Sequence, residues 1–152
     1  PALWKKIKKA ALALFEKGTE ICAKSGIILV DTKYEFGLDD KGNLILIDEA
    51  HTPDSSRFWV KKTYLKRFKK GEEPENFDKE FLRIWYADRG YKGDGKIPSM
   101  PKEFMAKVSQ RYLTIFEKIT QKKFKAYQYP IEKRIKENLK FANDLQARYN
   151  LV

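Results

Sequence analysis

The chain has 152 residues, 42% hydrophobic and 35% charged, with ten Phe, eight Tyr and three Trp; that aromatic content excludes a disordered chain, and the length suits one domain with a real core. No run of about 18 apolar residues occurs, which excludes a membrane-spanning helix, and no signal-peptide pattern opens the chain. The formal charge is +11, and one cysteine (Cys22) and one histidine (His51) exclude an internal disulfide and a histidine-built metal site.

In chain order, Leu3, Ile7, Ala10, Leu14, Gly18 and Ile21 recur at helical spacing, with Lys5, Lys6, Lys8 and Lys9 largely off that face. Ser25-Gly26 ends this first helix. Pro1 stands where an initiator Met would, and the helix begins at once, so the chain reads as one cut from something longer. Ile27 to Val30 is a continuous apolar run, the mark of a buried strand, and Leu44 to Ile47 is a second. Leu38 to Asn43 between them has turn composition, so the simplest arrangement is a hairpin of these two strands.

Beyond about residue 61 the pattern turns helical. Phe77, Phe81, Ile84 and Trp85 share a face behind Asn76, a candidate N-cap. Residues 90–98 form a Gly-rich loop. Phe104, Val108, Tyr112, Ile115 and Ile119 define a further helix opened by Ser99 to Pro101, and Pro130 starts a last one bearing Ile131, Ile135, Leu139, Ala142 and Leu145. Such stripes are core far more often than cofactor sites. The class is therefore α+β, a β-hairpin packed with several helices.

The hairpin also carries polar residues that packing does not explain. In an extended chain Asp31, Lys33 and Glu35 point to one side, spread over ~13 Å at ~3.3 Å per residue. Asp48, following the paired strand, returns beside them. Three carboxylates around a lysine are costly unless a ligand completes them, and Mg²⁺ with nucleotide phosphates would do so. A strand with alternating surface charges gives the same pattern. Ala50 to Trp59 then supplies Asp54, Ser55, Ser56 and Arg57, hydroxyls and a guanidinium fork suited to a phosphate monoester, or else an ordinary capping turn.

Two long stretches carry a family resemblance. Ile28-Leu29-Val30-Asp31-Thr32-Lys33-Tyr34-Glu35-Phe36-Gly37 resembles one signature of the SAICAR synthetase family, and Leu46-Ile47-Asp48-Glu49-Ala50-His51-Thr52-Pro53-Asp54-Ser55-Ser56-Arg57-Phe58-Trp59 resembles a second, at the expected separation. A looser likeness continues through Phe77-Asp78-Lys79 to residue 120. The resemblance implies that residues 1–120 are the C-terminal, substrate-binding lobe of a protein-kinase-like fold whose N-terminal ATP lobe is absent, and leaves 121–152 as a basic helical tail of the same domain.

It also implies a ligase of de novo purine synthesis, in which ATP activates the imidazole carboxylate of CAIR as an acyl phosphate and the amine of L-aspartate displaces phosphate. Glu35 and Asp48 would hold Mg²⁺, and Asp31 and Lys33 would lie at the reacting carboxylate. Arg57 with Ser55 or Ser56 would grip the ribotide phosphate or the aspartate, and Asp54 would position substrate or brace Arg57. The missing lobe and a second copy are the implied protein partners, and the reducing cytoplasm the implied location. Two other readings stand beside it: a small-molecule kinase-like phosphotransferase, which needs no aspartate, and a non-catalytic basic nucleic-acid-binding module. The latter draws on residues 61–152, where the positive excess lies, but leaves the acidic hairpin unexplained.

Overall fold

The computed structural model describes residues 2–127 and 130–149, with side chains through Phe141. It divides into two compact units, Pro1–Lys122 and Lys123–Val152. The first contains helix α1 (Ala2–Lys24), strands β1 (Ile27–Thr32), β2 (Phe36–Leu38), β3 (Leu44–Leu46) and β4 (Ser56–Val60), and helices α2 (Lys61–Lys69), α3 (Glu80–Ala87) and α4 (Lys102–Thr120). The second contains helix α5 (Ile131–Tyr149). The class is α+β with small antiparallel sheets and five helices among the described residues. No helix there is long and apolar enough to cross a membrane.

The expected hairpin is corrected in its pairing. β1 pairs with β4, and the hairpin is made by β2 and β3. The turn explains the second pairing: the Asp39 carboxylate accepts the Lys41 and Asn43 N–H groups at 3.0 and 2.6 Å, and Gly42 takes φ 76°. This tight loop joins Phe36–Leu38 to Leu44–Leu46 and leaves the more apolar β1 for the later strand. β4 begins in the stretch read from sequence as a phosphate-gripping segment or a capping turn. Its Phe58 and Val60 sit opposite Leu29 and Ile27, so two alternating apolar faces meet.

The core is Cys22, Ile27, Leu29, Phe58 and Ile115, flanked by Phe15, Phe77 and Ile119. α1 supplies Cys22 and ends as expected at Gly26, φ 69°. Ser25 donates its hydroxyl to the Lys118 carbonyl at 2.5 Å, tying the ends of α1 and α4 together. Asn76 does not cap α3. It bridges to Trp59, and the buried Asp78 accepts the Glu80 N–H at 2.9 Å instead. Asp78 wins because its other oxygen takes the Phe58 N–H at 2.8 Å, pinning the start of α3 to β4.

In α5, Ile131, Ile135 and Leu139 are exposed, so this stripe forms no core among the described residues. Ala142 and Leu145 lie outside the described side chains.

Candidate functional site

Between Leu29 and Asp31 the β1–β4 register shifts, and Asp31 pairs with Arg57 where an unbroken ladder would place Ser56. Val30 is the extra residue of a β-bulge. Leu29 faces the core, so without the bulge Asp31, two residues on, would face it too. With it, Asp31 turns outward beside Arg57, and Thr32 meets Ser56.

Asp31 and Arg57 form a bidentate pair, Nε lying 2.9 Å from both carboxylate oxygens while Nη2 bonds Oδ2. These hydrogen bonds hold the Asp31 carboxyl below the usual carboxylate range. Ser56, buried, donates to Thr32 Oγ1 at 2.8 Å. Asp31, Ser56 and Arg57 line a cleft of about 350 Å³ together with Asp54, Ser55, Asp78, Lys79, Glu80 and Arg83.

A second cleft of about 330 Å³ shares Asp54, Ser55 and Lys79 with the first and is lined also by Lys33, Asp48 and Glu49. Lys33 is paired with Glu35, and that hydrogen bond, followed by the Glu35, Asp48 and Glu49 charges, raises its pKa. The Ile47 N–H donates to the Glu35 carbonyl at 3.0 Å, extending the β2–β3 pairing to the residue before Asp48, and Lys33 lies within range of both the Glu35 and the Asp48 charge.

The expectation that Asp31, Lys33 and Glu35 share one side is therefore corrected. β1 ends at Thr32, so the strict alternation stops there, and Asp31 serves the first cleft while Lys33 lines the second. Arg57 is braced by Asp31; Asp54 instead pairs with Lys79 at 3.8 Å.

The loop between the clefts is held by Thr52. Its hydroxyl donates to Glu49 at 2.7 Å and accepts the Ser55 N–H at 3.2 Å, while its carbonyl takes the Ser56 N–H at 2.9 Å. The Ser55 carbonyl in turn accepts the Lys33 N–H at 3.2 Å. Ser55 is thus fixed at the ridge both clefts share.

Lys79, Arg83 and Glu49 line these clefts but were not among the residues singled out for the site. The only sequence signal for Lys79 is its place in Phe77-Asp78-Lys79. Arg83 lies four residues on, one helical turn, and bonds Glu80 at 2.8 and 2.7 Å. Beyond them a more apolar cavity of about 510 Å³, with Tyr86, Tyr91 and Lys92 in its wall, holds no residue of the two motifs.

Glu35 and Asp48 offer hard oxygen donors. Among the described residues no three His, Cys, Asp or Glu side chains gather closely enough to hold a metal ion. That donor set fits Mg²⁺, which takes one or two carboxylates when phosphate oxygens and water complete its shell; it does not fit an all-protein Ca²⁺ or Zn²⁺ cage.

The sequence model described as SAICAR synthetase matches residues 1–100. A phosphoribosylaminoimidazole-succinocarboxamide synthase of Legionella pneumophila is 48% identical over 123 residues, 80% of this chain and 39% of the relative. The chloroplastic enzyme of that name from Arabidopsis thaliana is 48% identical over 132 residues, 84% and 32% of the two chains. The SAICAR synthase of Saccharomyces cerevisiae, solved complexed with SAICAR, superposes with a TM-score of 0.69 at 34% identity, over 83% of this chain and 41% of that one. A SAICAR synthetase solved with ADP superposes with a TM-score of 0.56 at 34% identity, over 80% and 40%. The chain thus spans well under half the length of these relatives.

Proposed function

This chain belongs to the SAICAR synthetase family, and on that premise we propose that it carries the part of an active site where ATP activates the carboxylate of CAIR for attack by L-aspartate. The observation that supports this most is the pair of polar clefts meeting at Asp54, Ser55 and Lys79, one carrying Asp48 and Glu49 with Lys33, the other built on Arg57. A ligase joining two substrates through a phosphorylated intermediate needs both kinds of surface side by side.

In this reading Glu35 and Asp48 hold Mg²⁺, which when bound offsets phosphate charge. Lys33, drawn toward the cleft by its acidic neighbours, places an ammonium where phosphoryl charge develops. Asp31 keeps the Arg57 fork in one orientation. Arg57 and Ser55 present donors to the ribotide phosphate or the aspartate carboxylates, the Ser56 hydroxyl being spent on Thr32, and Lys79 and Arg83, paired with Asp54 and Glu80, stand in the same cleft. The aspartate amine then attacks the acyl carbon, the bond from that carbon to the phosphate oxygen breaks and the amine gives up a proton, so that SAICAR and phosphate leave along with the ADP formed at activation.

Residues 1–120 then correspond to the C-terminal lobe of a kinase-like fold, the tail from residue 121 accompanying it. The ATP lobe would correspond to the region of the relatives outside the match.

Titrating SAICAR into the chain while following backbone amide shifts tests the assignment. Shifts confined to residues 31–35, 48–57 and 78–83 are expected. Shifts only around the Tyr86–Tyr91 cavity, or none at saturating SAICAR, would contradict it.

A further inference from the structure

We propose that His51 is a positioning residue, its ring clamped between Gly18 and Tyr34 so that the loop carrying Asp48, Glu49, Asp54 and Ser55 keeps its place beside Lys33 and Glu35. The inference rests on the functional reading above for what the site does, and on separate geometry for how it is held.

His51 has φ 57°, a left-handed conformation that is unfavourable for a residue with a side chain and persists only where its surroundings impose it. Backbone need alone would favour Gly or Asn here; the contacts of the ring explain a histidine. A Cβ placed on Gly18 would lie 2.4 Å from Cε1, 2.7 Å from Nε2 and 2.8 Å from Nδ1 of His51, so the imidazole rests directly on the α1 backbone. Its Nε2 lies 2.5 Å from the Tyr34 hydroxyl, and the two rings meet edge to face, 5.5 Å apart at 77°.

The partners matter because of their neighbours in sequence. Tyr34 stands between Lys33, which lines the acidic cleft, and its ion-pair partner Glu35. His51 lies between Asp48-Glu49 and the Thr52–Ser55 network. One side chain therefore joins three segments: α1, the exit of β1, and the loop dividing the clefts. Beside it, the Lys33 N–H donates to the Ser55 carbonyl, and Ser56 pairs with Thr32 where the loop enters β4; the stretch from Asp48 to Pro53 lies beyond both ties.

The test compares the wild-type chain with Tyr34→Phe, which removes only the hydrogen bond, and His51→Asn, which keeps a residue tolerant of the left-handed conformation but removes the ring. Amide exchange at Lys33 and Ser56 is expected to quicken roughly tenfold in both, the scale of one lost hydrogen bond, while Phe58 and Phe77 keep their rates. Unchanged rates at Lys33 and Ser56, or equal loosening at all four amides, would overturn the proposal.

A kinetic arm measures CAIR- and aspartate-dependent ADP release with the chain supplemented by the region of the Legionella pneumophila relative outside the match. A positioning role lowers kcat about tenfold with KM for aspartate little changed; faster exchange with unaltered kcat would refute it. Absence of such release in the wild type would count against the functional reading alone, and the exchange rates would still decide whether His51 holds the loop.

Discussion

Asp31 stands opposite Arg57 because Val30 is an extra residue in β1. The bulge changes the face on which Asp31 emerges, converting a residue in register for the core into one that braces a guanidinium at the edge of a cleft. A bulge beside a functional site is a recurrent way of re-aiming a side chain, and here it makes the bidentate pair possible.

Arg57→Lys tests the pair. The Asp31 carboxyl should titrate below the ordinary Asp value of about 3.9 in the wild type and move up toward it in the variant, followed by NMR. Because the Asp31 pKa is lowered in the fold, its contribution to stability is present above the unfolded value and is lost as pH falls through the folded one. At neutral pH the variant should lose less than about 1 kcal/mol, since both side chains are about half exposed. An unchanged Asp31 midpoint would show that Arg57 is not the cause.

Asp78 should behave in the opposite sense. Burial raises its pKa, although the N–H groups of Phe58 and Glu80 pull the other way. A raised carboxyl pKa contributes stability below the unfolded value and loses it as pH rises through the folded one. Asp78→Ala leaves two backbone donors without their acceptor and should cost about 2–4 kcal/mol in urea denaturation at pH 7. A loss under about 0.5 kcal/mol, the scale of an ordinary surface substitution, would mean that Asp78 does not pin α3 to β4.

Gly18→Ala sets two effects against each other. In a free helix the change favours folding by roughly 0.5–1 kcal/mol. Here the new methyl meets the His51 ring at 2.4 Å, and overpacking costs typically about 1–3 kcal/mol, so net destabilisation is expected. The double variant with His51→Asn should lose no more than His51→Asn alone. A more stable Gly18→Ala chain would mean that the ring moves aside freely.

Most helices were legible in the sequence because their signals are local. The stripe of α4 and the Gly26 stop of α1 need only a period of 3.6 and a left-handed residue. What was not legible depends on distant partners. Nothing local announces that Ile27–Thr32 will pair with Ser56–Val60 and not with Leu44–Leu46, both being apolar and extended. The Val30 bulge is equally silent, so the three-residue alternation of Asp31, Lys33 and Glu35 pointed to one face when the chain uses two. His51 reads only as a lone histidine until Gly18, 33 positions earlier, is seen beneath it. The two motifs did mark the stretches lining the clefts; Arg83 joins them from α3 and Lys79 from the residue just before it, a placement that rests on Asp78.

Asp48→Asn removes one carboxylate charge while keeping shape. It should abolish Mg²⁺-dependent ADP release by the supplemented chain and leave the thermal midpoint within a few degrees, because Asp48 lines an open cleft. Retained turnover would remove Asp48 from the metal pair.

The central claim is tested most directly by ADP release from the supplemented chain with MgATP, CAIR and L-aspartate, each omitted in turn. The account predicts release coupled to SAICAR formation, with SAICAR absent whenever any one of the three is left out. ADP release that proceeds at full rate without aspartate and yields a stable phosphorylated product would contradict it, and would make these clefts those of a small-molecule kinase.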